Sequence, residues 1–205
     1  MPTLECYFDC SSPWTYLGFH NVQPLASELA VEVTWHPILV GGLFNTVNPS
    51  VYQSRAEPVP LKHAYMLKDL QDWARHSGIR ITWPVSVFPV NSVKAMRGCV
   101  VAARQGKLVP YATAAFEAYW GDDRDISRDD VLAEVARTAD LDPTAVAEAI
   151  ATPEVKDALK RNTEDCARRG GFGSPTFFVD GDDMYFGNDR LPLIRDALIR
   201  AGAGR

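Results

Sequence analysis

The sequence lacks the features that mark membrane-spanning and secreted proteins. No apolar run approaches the ~20 residues that a membrane-spanning helix needs, so no membrane partner is expected. The N-terminal segment MPTLECYFDC has neither a basic start nor a long apolar stretch, and it predicts a strand rather than a secretory signal. We therefore expect a cytoplasmic protein.

Positive charge and cysteine are also scarce. The 21 Lys and Arg residues are outnumbered by 26 Asp and Glu residues, which gives a net charge of −5. No basic stripe with interleaved aromatic residues occurs, which argues against nucleic acid as a partner. The spacing of the 4 cysteines fits no zinc template, so neither a metal site nor a disulfide framework is expected. Cys99 and Cys166 fall in helical patterns, and we expect them to be buried thiols.

The pattern at the start of the chain favours an α/β fold. Residues 3–9 alternate between two faces, which predicts a strand. Ser12 is a good helix N-cap and Pro13 a good first helical residue, so a helix is predicted from Pro13 to about Leu29. A second alternating run at 31–37 completes a β-α-β unit. Residues 39–49 are rich in turn formers and predict a loop.

The middle of the chain predicts a block of helices, one of which runs from Lys62 to Ser77. The period then changes again, and residues 176–179 and 184–186 predict two short strands around a turn. A closing helix is predicted from about Asp189 to Ala201.

Strands this few and this short are expected to share one sheet. The order β-α-β, helices, then β-β-α predicts an α/β thioredoxin-like fold with a helical domain inserted. Residues 1–45 and 170–205 would form the thioredoxin-like domain, and residues 46–169 the inserted all-helical domain.

The junction between the first strand and the first helix carries the strongest chemical signal. In a thioredoxin-like fold, the N–H groups and dipole of this helix N-terminus stabilise a reactive thiolate. Here the motif is Ser12-Pro13-Trp14-Thr15, with hydroxyls where a C-P-W-C motif has its two cysteines. Such a site is poorly suited to disulfide exchange, but it is suited to holding a bound thiol and lowering its pKa. Taken alone, Ser12 is more simply explained as an N-cap.

A second signal is Pro175, which stands directly before the strand predicted at 176–179. Proline has no N–H for a sheet ladder, so this position is unusual. Thioredoxin-like proteins place a cis-proline there, opposite the helix N-terminus, and the preceding backbone binds an extended peptide. Ser174 is then expected to offer its N–H and C=O to a peptide-like ligand. A trans proline at a sheet edge is the simpler alternative.

Together with further motifs along the whole chain, these two signals make the sequence resemble the 2-hydroxychromene-2-carboxylate isomerase family. That family is related to kappa-class glutathione transferases and to DsbA-like oxidoreductases. The residues that carry the resemblance lie in register: Phe8-Asp9-x-x-Ser12-Pro13-x-x-Tyr16-Leu17, Pro37-Ile38-Leu39-x-Gly41-Gly42-Leu43-Phe44, Asn48, Lys62-x-x-Tyr65-Met66-x-Lys68-Asp69-Leu70, Phe172-Gly173-x-Pro175-Thr176-Phe177-Phe178-Val179-Asp180-Gly181 and Gly187-Asn188-Asp189-Arg190-Leu191. One departure is Ser174, since relatives more usually have a small aliphatic residue before the proline.

The resemblance implies a glutathione site. Ser12 matches the catalytic serine that activates the glutathione sulfur, and Ser174 with Pro175 matches the loop that pairs with the cysteinyl part. Asn48 and Lys62 match positions that hold the glycine carboxylate.

The γ-glutamyl end would lie at Asn188 and Asp189. A lysine suits a carboxylate and an aspartate suits an α-amino group, whatever the family. Taken alone, Lys62 is more simply a solvated helix residue, and Asp189 a helix cap.

The resemblance also implies an activity. It predicts a glutathione-dependent isomerase that interconverts 2-hydroxychromene-2-carboxylate and trans-o-hydroxybenzylidenepyruvate, or a similar aromatic α-keto acid, in aromatic-compound catabolism. A kappa-like glutathione transferase or peroxidase and a DsbA-like thiol oxidoreductase are the alternatives, and a homodimer is implied. Trp14, Phe44, Tyr65 and Trp120 are candidate walls of the substrate site, although core packing explains each more simply.

Overall fold

A computed structural model describes residues 2–204, except for the side chain of Arg55. Its sheet has four strands in the order β2-β1-β3-β4. Strand β1 (Leu4–Phe8) lies at the centre, parallel to β2 (Val33–Pro37) and antiparallel to β3 (Thr176–Val179). Strand β4 (Asp183–Phe186) pairs with β3 as a hairpin at the edge. The expected single sheet is confirmed, and its strand pairing is mixed.

Helix α1 (Pro13–Glu28) makes the crossover that a parallel β1–β2 pair requires. Ser12 precedes it in an extended conformation, with φ −113° and ψ 126°, as an N-cap does. Proline at the first helical position costs nothing because the N–H that it lacks would have no helical partner. The predicted β-α-β opening is therefore confirmed, and the helix ends within a residue of the expected position.

Eight further α-helices of the described chain lie between β2 and β3. They are α2 (Val40–Thr46), α3 (Ser50–Ala56), α4 (Pro60–Ser77), α5 (Val93–Ala103), α6 (Leu108–Phe116), α7 (Asp129–Thr138), α8 (Pro143–Ala149) and α9 (Pro153–Arg168). A π-helical turn (Glu117–Gly121) follows α6 directly. None of the helices within residues 2–204 is long and apolar enough to cross a membrane.

The expectation of a loop over residues 39–49 is wrong, because α2 occupies most of that range. Two distant side chains hold its first turn: the amide of Val40 donates to Asp9 Oδ2 at 2.8 Å, and the amide of Leu39 donates to Thr163 Oγ1 at 3.0 Å. Val40 and Leu43 are buried. Tertiary contacts here outweigh the local preference of the two glycines for turns.

The chain closes with a 3₁₀ turn (Asn188–Arg190) and helix α10 (Leu191–Arg200). The closing helix was expected to start at Asp189, and its first residues form the tighter 3₁₀ turn instead. The domain boundaries at residues 45/46 and 169/170 stay a prediction, and their outermost residues, Met1 and Arg205, lie outside the described residues.

The sheet separates two apolar clusters. Leu4, Cys6 and Phe8 point into the large core with α1, whereas Tyr7 points to the other face and packs with Phe178. This alternation confirms the period of two in β1. Strand β1 ends at Phe8 and α1 begins at Pro13, so only a short loop separates them. The candidate site lies at this loop.

Candidate functional site

Ser12 lies at the N-terminus of α1 and is half-buried. Its Oγ accepts a hydrogen bond from the amide of Thr15 at 3.2 Å, and its own amide donates to the carbonyl of Asp9 at 3.3 Å. The Ser12 hydroxyl donates to no described residue. A hydroxyl that is positioned as an acceptor and still has its proton to donate can form a hydrogen bond to an anionic ligand.

The loop before β3 lies against this helix end. The Ser174–Pro175 peptide bond is cis, as expected. Ser174 Oγ accepts from the amide of Asp9 at 3.1 Å and lies 2.8 Å from Thr15 Oγ1. Neither the amide nor the carbonyl of Ser174 forms a hydrogen bond with another residue in the described part of the chain. The backbone N–H and C=O of Ser174 thus have no partner among the described residues, and their expected role toward a ligand stays a prediction.

Helix α1 and this loop approach closely because Gly18 has no side chain. A Cβ at Gly18 would lie 2.7 Å from Pro175 Cγ and 3.3 Å from Pro175 Cβ. The 2.7 Å distance is too short for two carbon atoms, so a side chain at position 18 would push α1 and the loop apart. Ser12 and Ser174 are connected here through Thr15, whose amide donates to Ser12 Oγ and whose hydroxyl donates to Ser174 Oγ.

A cleft of about 430 Å³ opens beside the loop and brings four of the expected site residues together: Ser174, Pro175, Asn188 and Asp189. Trp14 from α1 forms part of its wall, so one of the four candidate substrate walls does face a cleft. Trp120 is fully buried in the core, as the simpler explanation predicted. Tyr65 is 65% exposed and is absent from the cleft wall.

Asn188 is the most deeply buried polar residue of the cleft, with 3% of its surface exposed. Its Oδ1 accepts from Asn21 Nδ2 at 2.8 Å, and its own Nδ2 has no hydrogen-bond partner among the described residues. Asp189 is exposed and forms an ion pair with the neighbouring Arg190.

Asn48 and Lys62 lie away from the cleft wall. Asn48 Nδ2 donates to the carbonyl of Phe172 at 3.2 Å, so Asn48 touches the loop that leads to Ser174. Lys62 is exposed, and its side chain forms no hydrogen bond or ion pair with the residues that the structure describes. Their assignment to the glycine carboxylate stays a prediction.

Two cleft residues on α4, Asp69 and Trp73, were not singled out from the sequence as site residues. They stand four positions apart and therefore share one helix face. Asp69 was part of a quoted motif, but only the fold shows that this face of α4 lies opposite the loop at Ser174. Asn21, which contacts Asn188, carried no sequence signal at all.

Asp9 is a structural carboxylate at the end of β1. It is 1% exposed, and its Oδ1 accepts from the amide of Ser11 at 2.9 Å while its Oδ2 holds α2. Burial raises the pKa of this carboxyl, and the backbone hydrogen bonds from Ser11 and Val40 oppose the rise.

Cys10 is buried, and its surroundings favour the neutral thiol. Burial and the neighbouring Cys99 thiol raise the pKa of Cys10 well above its usual value. Its carbonyl accepts from Trp120 Nε1 at 2.9 Å, which ties the π-helical turn to the site loop. Cys99 and Cys166 are buried as well, as the sequence predicted.

Comparison with known proteins defines the class. The chain matches the model of the DSBA-like thioredoxin domain over residues 3–199, and it belongs to that family. The α/β thioredoxin-like fold with an inserted helical region is thereby confirmed.

Individual relatives narrow the class further. The chain is 28% identical over 197 residues to the 2-hydroxychromene-2-carboxylate isomerase of Sphingobium xenophagum, covering 96% of this chain and 98% of that one. It is 29% identical over 211 residues to human glutathione S-transferase kappa 1, covering 96% and 90%. A solved structure of 2-hydroxychromene-2-carboxylate isomerase superposes with a TM-score of 0.82 at 24% identity, covering 97% of this chain and 95% of that one. The resemblance found in the sequence is confirmed.

Proposed function

We propose that the protein is a glutathione-dependent isomerase acting on 2-hydroxychromene-2-carboxylate or a similar aromatic α-keto acid in aromatic-compound catabolism. One observation carries the proposal. The cleft wall joins Ser174, Pro175, Asn188 and Asp189 to Trp14, which stands two residues after Ser12 at the start of α1. Ser12 is not itself part of this wall, but Thr15 links it to the cleft: the Thr15 amide donates to Ser12 Oγ and the Thr15 hydroxyl donates to Ser174 Oγ.

The proposed role of Ser12 follows from its geometry. The Thr15 amide fixes Ser12 Oγ as an acceptor, so the Ser12 proton can point outward to a glutathione sulfur lying between it and Ser174. A hydroxyl donor and the positive end of α1 both favour the anionic sulfur, which lowers the pKa of the bound thiol. In this role the Ser12 hydroxyl would donate a hydrogen bond to the glutathione sulfur and stabilise its negative charge, as the donors of an oxyanion hole do for oxygen.

The proposed reaction involves no net oxidation or reduction, so it needs no oxidant or reductant. Opening of the cyclic hemiketal breaks its ring C–O bond and gives a phenol that carries the unsaturated α-keto acid. The glutathione thiolate then adds to the carbon β to the ketone, a C–S bond forms, and the π electrons move to the ketone oxygen as an enolate, so that the former double bond becomes single. Rotation about that bond and expulsion of the thiolate restore the double bond in the other geometry. Glutathione is regenerated, so it acts as a catalyst.

The test is an absorbance assay with 2-hydroxychromene-2-carboxylate, with and without glutathione, on the natural protein and on Ser12→Ala. We expect thiol-dependent equilibration that falls by about 10²-fold or more in the variant, since removing one donor to a developing anion has effects of that size. Thr46→Ala is a matched control, because the Thr46 hydroxyl bonds only to carbonyls of its own helix. Turnover that is equal with and without glutathione would contradict the proposal.

A second candidate is a kappa-like glutathione transferase or peroxidase. It is favoured by the 29% identity to the human kappa enzyme, which is no lower than the identity to the isomerase. A product that retains glutathione, found by mass spectrometry, would select the transferase. A thiol oxidoreductase is disfavoured, because hydroxyls stand at Ser12 and Thr15, the positions of both exchanging sulfurs.

The homodimer and the cytoplasmic location belong to this proposal as predictions. Sedimentation of the purified protein tests the first, and fractionation of the producing cells tests the second.

A further inference from the structure

Asn21 connects three elements around the cleft. It lies on α1, and its Nδ2 donates at 2.8 Å both to Ser77 Oγ at the end of α4 and to Asn188 Oδ1 in the 3₁₀ turn. An amide nitrogen has two hydrogens, so both donors of Asn21 are used. The same helix carries Ser12 at its N-terminus.

Asn188 depends on this contact. It is 3% exposed, and the bond from Asn21 is its only side-chain hydrogen bond to the described residues. Because Asn21 donates, the Asn188 side chain must present its oxygen to Asn21, and its nitrogen is left over as a donor. Without Asn21, no side chain of the described residues fixes the orientation of this amide, and the turn keeps only its backbone anchor, the Gly187 amide that donates to the carbonyl of Pro175 at 3.1 Å.

We propose that Asn21 is a positioning residue for the γ-glutamyl end of glutathione. It holds the turn Asn188–Arg190 at a set place relative to α1, and hence relative to Ser12. The inference rests on the proposed glutathione function and adds to it the residue that sets the distance between the sulfur site and the γ-glutamyl site.

The test compares two thiols by calorimetry: glutathione and cysteinylglycine, which lacks the γ-glutamyl residue. In Asn21→Ala we expect the Kd of glutathione to rise about tenfold, the effect of one buried hydrogen bond, and the Kd of cysteinylglycine to stay the same. Ser77→Ala is the matched control, because it removes one partner of Asn21 and leaves the bond to Asn188. It should bind both thiols as the natural protein does.

The outcomes separate the two proposals. Equal weakening of both thiols in Asn21→Ala, or no weakening of glutathione, overturns the positioning role while the natural protein still binds glutathione. No binding of glutathione by the natural protein overturns the proposed function itself. Asn21→Gln keeps an amide donor at this position. If this variant folds and binds glutathione more tightly than Asn21→Ala does, relative to cysteinylglycine, the positioning role is supported. If it binds glutathione as weakly as Asn21→Ala, the positioning role is contradicted.

Discussion

At the scale of single residues, the proposed chemistry depends on the hydroxyls of Ser12 and Thr15. The backbone at Ser12 is that of an ordinary N-cap, and the same geometry in a redox protein would hold a thiolate. The sequence alone was enough to find Ser12, because the capping motif is local. It could not find Asn21, whose importance comes from two partners that are 56 and 167 residues away.

Replacing Ser12 by cysteine should create a reactive thiol. The Thr15 amide and the start of α1 would stabilise the thiolate, so Ser12→Cys should have a thiol pKa well below the ordinary value of about 8.5. The thiolate absorbance in the ultraviolet, followed against pH, measures it. The four natural cysteines are buried, and the absorbance of the natural protein at each pH gives the background to subtract. A new thiol that titrates near pH 8.5 or above would show that this helix end does not stabilise an anion.

At the scale of elements, the sheet and α1 follow from the sequence because alternation, caps and prolines are local signals. Helix α2 was missed because its first turn depends on Asp9 and Thr163, both far away in the chain. The same limit applies to the cleft, which forms from α1, α4 and the segment after β3. No local pattern predicts that these three elements meet.

The contact between α1 and the loop at Pro175 can be tested through Gly18. Gly18→Ala should gain helix propensity, about 1 kcal/mol, and lose more through overpacking against Pro175, typically about 1–3 kcal/mol. We expect a lower free energy of unfolding in urea and weaker binding of glutathione. Gly41→Ala in α2 is the matched control, since a Cβ there meets nothing within 4 Å and should stabilise the protein. An equally stable Gly18→Ala would mean that the loop moves away at little cost.

At the scale of the whole molecule, stability should fall in alkaline solution. Burial raises the pKa of Tyr16 to about 12 and that of Cys166 to about 12, and it raises the pKa values of Tyr7 and Tyr111 further. In the unfolded chain these groups titrate near pH 10 and near pH 8.5. The folded protein therefore binds more protons than the unfolded chain above about pH 8.5, and its stability falls as the pH rises from there to about 12. Urea unfolding at a series of pH values checks this, and a flat profile above pH 9 would contradict it.

Tyr111 offers a sharper form of the same test. Its hydroxyl is buried without a hydrogen-bond partner among the described residues. Tyr111→Phe should therefore raise the free energy of unfolding at neutral pH by about 1 kcal/mol, since a buried unpaired polar group is lost. It should also lessen the alkaline decline. Tyr119→Phe is the matched control and should destabilise, because the Tyr119 hydroxyl donates to the carbonyl of Val87 at 2.8 Å. A destabilised Tyr111→Phe would show that the hydroxyl is paired in solution.

Ser174 also has a consequence for the order of events during synthesis. Its hydroxyl joins Asp9 and Thr15 to a segment that is made 165 and 159 residues later. Strand β1 lies between β2 and β3 in the sheet, and β3 is synthesised only after helices α2 to α9. A nascent chain therefore cannot form the candidate cleft until residues 174–189 have been made and have docked, so binding of a ligand there reports that these two distant segments have come together.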